Sequence, residues 1–138
     1  MTELLKKYDF TIDVNDFNQN AFCLIHVDLD ENGEPFDWTF IYANEALANL
    51  EGKTIEELIG HRFFEIFPSG NRKWLKHYYD AAYLGKGSNF SEISEEIDRY
   101  LHIDVYPTGK PGYCICILFD TKKEVFERAK RQIGRAHV

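Results

Sequence analysis

The hydrophobic period of this chain changes twice, and the order of the periods limits the fold more than any single motif does. Two apolar, β-branched stretches come first, Phe22 to Leu29 with a half-polar alternation at His26 and Asp28, and Trp38 to Ala43. Between them Asp30-Glu31-Asn32-Gly33 is a strong turn signal, because Asn-Gly readily supplies positive φ. The pair therefore reads as a hairpin. The period then lengthens to about three and a half residues. Asn44 is placed to cap a short helix running to about Leu50, with Ala46, Leu47 and Leu50 on its apolar side and Gly52 as its stop. Thr54 opens a second short helix, Glu57 completing a capping box, with Leu58 and Ile59 as its buried side and Gly60 at its end. Phe63 to Phe67 adds a further helical turn before Pro68.

Asn71 to Leu84 is predicted as the longest middle helix, with Trp74, Tyr78, Ala81 and Ala82 at helical spacing and Gly85 as its C-cap signal. The period then returns to two. Strands are expected at about Asn89 to Glu95, Arg99 to Tyr106 and Gly112 to Phe119, the last two joined by a loop rich in Pro and Gly. At the ends, residues 2–9 read as a short amphipathic helix with Leu4, Leu5 and Tyr8 on one side, and Thr121 to about Ile133 as a final helix. A five-stranded antiparallel sheet with short helices on one face and flanking N- and C-terminal helices satisfies this order, an α+β layer arrangement.

With 138 residues the chain suits one domain, divided here as an N-terminal helical cap over 1–20, a central domain over 21–121 and an outgoing helix over 122–138. A net charge of −7 argues against nucleic acid as the main partner. The charge is uneven: residues 121–135 hold six basic side chains against two acidic ones, so this segment carries +4 and the rest −11. Apolar runs such as Ile115 to Phe119 are too short to span a bilayer, and Met1 to Lys7 lacks the apolar core of a signal peptide, so a cytoplasmic location without membrane insertion is expected. Cys23, Cys114 and Cys116 do not make an even disulfide framework and read as buried free thiols. No His, Asp or Glu cluster has metal-ligand spacing and no serine sits in a nucleophile elbow, so neither a metal site nor catalytic residues are expected.

The second strand running into Asn44-Glu45-Ala46, the turn Gly52-Lys53-Thr54 before Glu56-Glu57-Leu58-Ile59-Gly60, and the pair Phe67-Pro68 follow a recognisable order. Leu84-Gly85-Lys86-Gly87, Val105-Tyr106-Pro107 and Phe119-Asp120-Thr121 continue it. Together these pieces resemble the PAS, or sensory box, family over roughly Phe22 to Thr121, in the form that precedes diguanylate cyclase or histidine kinase modules in bacterial signalling proteins. One departure stands out: the family closes its last strand with Asp-x-Thr, whereas Asp120 and Thr121 are adjacent here.

The resemblance implies a small cavity against the sheet, open to a ligand or filled by side chains, and a signal passed to flanking helices by population shift. It places Phe63, Phe67, Trp74 and Tyr78 at the cavity wall, either as plain core or as the lining for a small metabolite. Cys114, Cys116 and Leu118 face inward from the last strand by the same resemblance. Asp120 and Thr121 stand at the signal relay. The light-sensing flavin PAS proteins need a cysteine where this chain has Gly60-His61-Arg62-Phe63, so flavin is not expected. Haem through His77 is the alternative cofactor, although the family's haem histidine aligns nearer Trp74. Ile115, Ile117 and Phe119 give the last strand an apolar outer face, to be covered by the N-terminal helix or by a second subunit, and a homodimer is expected. Val125, Ala129, Gln132 and Ala136 make a seam suited to helix pairing in such a dimer. Two functions follow from the resemblance, an input module for a downstream cyclase or kinase domain in the same native chain, and a stand-alone ligand-binding or protein-interaction module. An enzyme is the third class.

Overall fold

A computed structural model describes residues 20–121. The two terminal helices expected from the sequence lie outside the described residues, except that Thr121 is the last residue of a strand. Five strands form one antiparallel sheet: β1 (Ala21–Leu29), β2 (Pro35–Ala43), β3 (Ser88–Ser94), β4 (Arg99–Pro107) and β5 (Tyr113–Thr121), in the spatial order β2-β1-β5-β4-β3. Between β2 and β3 come α1 (Glu45–Glu51), α2 (Ile55–Leu58), α3 (Phe63–Ile66), a 3₁₀ turn (Arg72–Trp74) and α4 (Leu75–Leu84). This is the expected α+β layer with a five-stranded antiparallel sheet.

Local chemistry accounts for most of the boundaries. At the first hairpin the Asp30 carboxylate accepts hydrogen bonds from the Asn32 and Glu34 amides at 2.8 and 3.0 Å, and Gly33 supplies the φ of +76° that closes the turn. The Asn44 side chain accepts the Leu47 amide of α1 and, at the same 3.0 Å, the Phe22 amide of β1, so one residue starts the helix and ties it to the sheet. Thr54 and Glu57 form the capping box of α2.

The edge of β2 is covered by the chain that follows α2: Gly60 donates to the Phe40 carbonyl and the Phe40 amide donates to the His61 carbonyl. Such cover keeps an edge strand from pairing with another molecule. At the far end Gly112, at φ +94°, donates to Ala82 of α4 and accepts from Val27 of β1. Three elements therefore meet at a residue whose side chain is a hydrogen.

Four local expectations change. β5 does not end at Phe119; Asp120 and Thr121 pair with Leu101 and Tyr100 of β4, so no helix begins at Thr121. Pairing with a full-length neighbour overrides the local tendency of an Asp-Thr step to open a helix. β2 begins three residues before Trp38, with Pro35 at its first position, where a missing N–H is tolerated. The long middle helix opens as a 3₁₀ turn because Asn71 accepts the Lys73 amide at 2.8 Å. Ile59 is not a buried helical residue but an extended C-cap that bridges to Phe40.

The sheet separates two apolar clusters. On the helix side lie Cys23, Ile25 and Val27, Trp38 and Phe40, Leu101, Ile103 and Val105, and Cys114, Cys116 and Leu118. On the outer side lie Phe22, Leu24, Tyr42 and Ile117, with Ile115 and Phe119 packed against them. A bulge decides which residues of β2 face which way. Leu24 pairs with Tyr42 and Ile25 with Phe40, leaving Ile41 without a partner. The extra residue turns Tyr42 outward although Trp38 and Phe40, of the same parity, point inward.

Candidate ligand cavity

Between the helix-side face of the sheet and the start of α4 is a cavity of about 30 Å³, room for one or two waters. Its aromatic wall begins with Trp38, stacked on Phe63 with ring centroids 4.1 Å apart and planes 20° from parallel. Tyr78 meets Trp38 edge-on at 4.9 Å, and Trp74 and Phe40 extend the wall. The strands contribute Cys23, Ile25, Leu101, Ile103, Cys116 and Leu118.

The polar part of the wall is small and asymmetric. Glu51, the last residue of α1, lines the cavity and is half-buried. Burial, reinforced by the negative charge of Glu96, pushes its pKa up to about 7. Glu96 lies in the β3–β4 turn and has the opposite environment. Burial alone would raise it, but donors from the Ser94 hydroxyl (2.7 Å), the Asn71 amide (2.6 Å) and the Trp74 side chain outweigh that and hold it below its usual range. Two neighbouring carboxyls are thus pushed apart, Glu96 to stay ionised and Glu51 to carry a proton near neutral pH. Burial also raises the Tyr78 phenol and the Cys116 thiol.

Of the residues expected at the wall, Phe63, Trp74, Tyr78, Cys116 and Leu118 come together around the cavity. Phe67 and Cys114 do not line it. Phe67 caps the end of α3 and packs on the far side of the aromatic group, 5.2 Å from Phe63 and under the Lys53 ammonium. Cys114 is fully buried but lies one inward step along β5 towards Pro107, its partner in β4. Trp38, Leu47, Glu51 and Ser94 are wall residues that the sequence pattern does not single out. Trp38 depends on the Ile41 bulge, and Glu51 and Ser94 on a meeting of α1 with the β3–β4 turn that no local pattern announces.

His77 stacks on Phe90 at 3.8 Å, nearly parallel, and is absent from the cavity wall. Burial lowers its pKa. His61, in the Gly60–Phe63 stretch, pairs on the surface with Glu65 at 2.7 Å. The three cysteines are buried and free. Among the described residues no group of three His, Cys, Asp or Glu side chains is placed to hold a metal, and no helix is long and apolar enough to cross a membrane.

One cluster has the composition of a catalytic triad: the Ser91 hydroxyl meets His102 Nδ1 at 2.9 Å, and His102 Nε2 meets Asp104 at 3.0 Å. Ser91 and His102 are direct partners across β3 and β4, and Asp104 is the next same-face residue. The cluster is a polar ladder on the sheet surface.

Asp120, expected from the sequence resemblance at the signal relay, is exposed at the end of β5 and ion-pairs with Arg99 of β4 at 3.6 Å. Leu118, two residues before it, is part of the cavity wall. The cavity wall and Asp120 thus lie on one strand.

No protein-family model matches the sequence, and the search of curated proteins finds no match. Solved structures do. A domain of an HTR-like protein from Haloarcula marismortui superposes with a TM-score of 0.54 at 15% identity, over 75% of this chain and 98% of that one. The photoactive yellow protein domain of the sensor histidine kinase Ppr from Rhodospirillum centenum gives 0.51 at 16% identity, over 78% and 93%. Both are PAS-type folds, and so is this one.

Proposed function

We propose that this PAS-type domain is the sensory module of a bacterial signal-transduction protein, holding a small molecule in the cavity described above and passing its state along β5 to a downstream effector. The observation that carries the reading is the shared wall: Cys116 and Leu118 line the cavity, and the same strand ends in Asp120 and Thr121 at the exit. A ligand that prefers one packing of that wall shifts the populations of whatever follows Thr121. One structural neighbour is a domain of a sensor histidine kinase, which makes a kinase one candidate effector, and the sequence resemblance makes a diguanylate cyclase another. The domain itself carries no acid–base or nucleophile machinery in this reading. It works in the cytoplasm as a homodimer, with Ile115 and Phe119 of the half-covered outer face contributing to the dimer contact.

The test uses the native full-length protein. Replacing Asp120 with Ala removes the Arg99 ion pair at the exit without touching the cavity, and should change effector output several-fold while ligand binding is unchanged. Unchanged output, or a native chain with no effector, refutes the relay and favours a stand-alone binding module.

A further inference from the structure

An open groove of about 470 Å³ runs between α1 and the ends of β4 and β5. Ala46, Asn49 and Leu50, three and four residues apart on one face of α1, form one side of it, and Leu118 and Phe119 of β5 the other. Asn44 fixes the first side in place: it caps α1 through the Leu47 amide and donates to the Asn20 carbonyl at 2.8 Å. Ala46, Leu50 and Phe119 are only half-buried, so the groove offers apolar surface that the described residues leave open. Two placements give it meaning. Asn20 and Asp120 both line it, so the chain enters and leaves the described domain at its two ends. Leu118 is buried between this groove and the aromatic cavity and lines both.

Charge separates the two segments that start from the groove. Residues 20–121 carry eight basic and seventeen acidic side chains, a net −9. Residues 1–19, with two against four, are acidic as well at −2, whereas residues 122–138, with six against two, carry +4. The domain attracts the second segment and repels the first, over about 8 Å at physiological salt. Val125 and Phe126 are the first apolar side chains after Thr121. Four extended residues reach about 13 Å, enough to turn back from Thr121 to the groove beside Asp120. We propose that residues 122–138 dock in this groove, with Val125 and Phe126 laid against Leu50, Leu118 and Phe119. This rests on the sensory reading and gives its relay a receiver: Leu118 touches the cavity on one side and the docked segment on the other, so a change in the packing of the cavity is felt in the groove.

Disulfide trapping in the full chain tests this. Asn49→Cys, on the exposed wall of the groove, is combined in turn with Phe126→Cys, Glu127→Cys, Arg128→Cys and Phe17→Cys, and each pair is oxidised with glutathione disulfide. Cys23, Cys114 and Cys116 are buried and do not compete. A disulfide closes only when the two Cα atoms come within about 7 Å with their side chains facing. The Phe126→Cys pair should therefore close within one chain, and at least tenfold faster than the slower of the pairs at Glu127 and Arg128. Adding Leu50→Lys, which removes apolar surface from the groove and places a like charge there, should slow that closure at least tenfold while the circular dichroism spectrum stays that of the parent. High salt should slow it several-fold, because the attraction is between solvent-exposed charges. Equal rates at all three positions after Thr121 describe a free tether and overturn the docking, as does closure indifferent to Leu50→Lys. Fastest closure with Phe17→Cys puts the N-terminal segment in the groove, and a product of dimer mass puts a second copy there; either result overturns the assignment to residues 122–138. None of these results touches the relay test with Asp120→Ala, which fails or succeeds on effector output alone.

Discussion

Glu51→Gln should make this protein more stable, and by an amount that grows with pH. In the folded chain Glu51 titrates at about 7 against 4.5 for a free carboxyl, first because burial disfavours its charge and second because Glu96 repels it. At about 1.4 kcal/mol per tenfold in proton affinity this difference amounts to about 3 kcal/mol, reduced to about 2–3 because the residue keeps some exposure. The sign follows from which state holds the proton. Below pH 4.5 both folded and unfolded chains have Glu51 protonated and nothing is lost. As pH rises towards 7 the unfolded chain ionises first, so folding must take up a proton and stability declines. Above 7 both states are ionised and the full penalty is present. Glutamine has no such penalty at any pH. Urea denaturation followed by tryptophan fluorescence at pH 5, 6, 7 and 8 measures the difference between variant and parent. The gap should widen by about 2 kcal/mol from pH 5 to pH 8. A gap that stays constant across this range would show that Glu51 is an ordinary solvated carboxylate, and the reasoning about the cavity's polar wall would fail with it.

Other positions give independent checks. Asn44→Ala removes the cap of α1 and strands the buried Phe22 amide, so a loss of about 2–4 kcal/mol is expected in the same denaturation assay. Gly112→Ala would place a methyl carbon 2.7 Å from His26 Nε2 at a φ of +94°, and should cost about 1–3 kcal/mol, read as a lower urea midpoint. Trp38→Ala removes the ring stacked on Phe63 and should cost about 3–5 kcal/mol, whereas an exposed change such as Glu56→Ala should stay within about 0.5 kcal/mol. Light scattering at high micromolar concentration should give the mass of a dimer; a monomeric mass removes the homodimer from the account.

Features written within a few residues were legible before any coordinates. The Asn32-Gly33 turn, the Thr54–Glu57 capping box and the alternation Leu101, Ile103, Val105 are each determined by neighbours in the chain, and each is present as read. The cavity was legible only in part, because its wall is assembled from all five strands and from three separate helical stretches between β2 and β3. Trp74, Tyr78 and Phe63 were expected at the wall from the PAS resemblance. Trp38 faces the cavity only because Ile41 is bulged out of the β1–β2 pairing, and a strand's parity cannot reveal a bulge. Glu51 lies just past Leu50, where the sequence pattern ends the first helix, and no motif marks it. Its raised pKa arises from burial and from the charge of Glu96, forty-five residues later. At the other end the adjacent Asp120 and Thr121 suggested a helix start, and the competition was decided by the Arg99–Tyr100–Leu101 segment alongside. Tertiary pairing, not local propensity, sets where this strand stops.

The central claim, that the cavity speaks to the exit through β5, is tested most directly by filling the cavity from its opposite side. Leu47 on α1 lines the cavity and touches neither Asp120 nor Arg99 by hydrogen bond or ion pair. Leu47→Phe would push a ring into the space, and amide hydrogen exchange would then be compared with the parent protein, residue by residue. The account predicts changed protection at Cys116 and Leu118, continuing through Asp120 and Thr121 into residues 122–133. Changes confined to the cavity wall, with exchange from Asp120 onward identical to the parent, would contradict it.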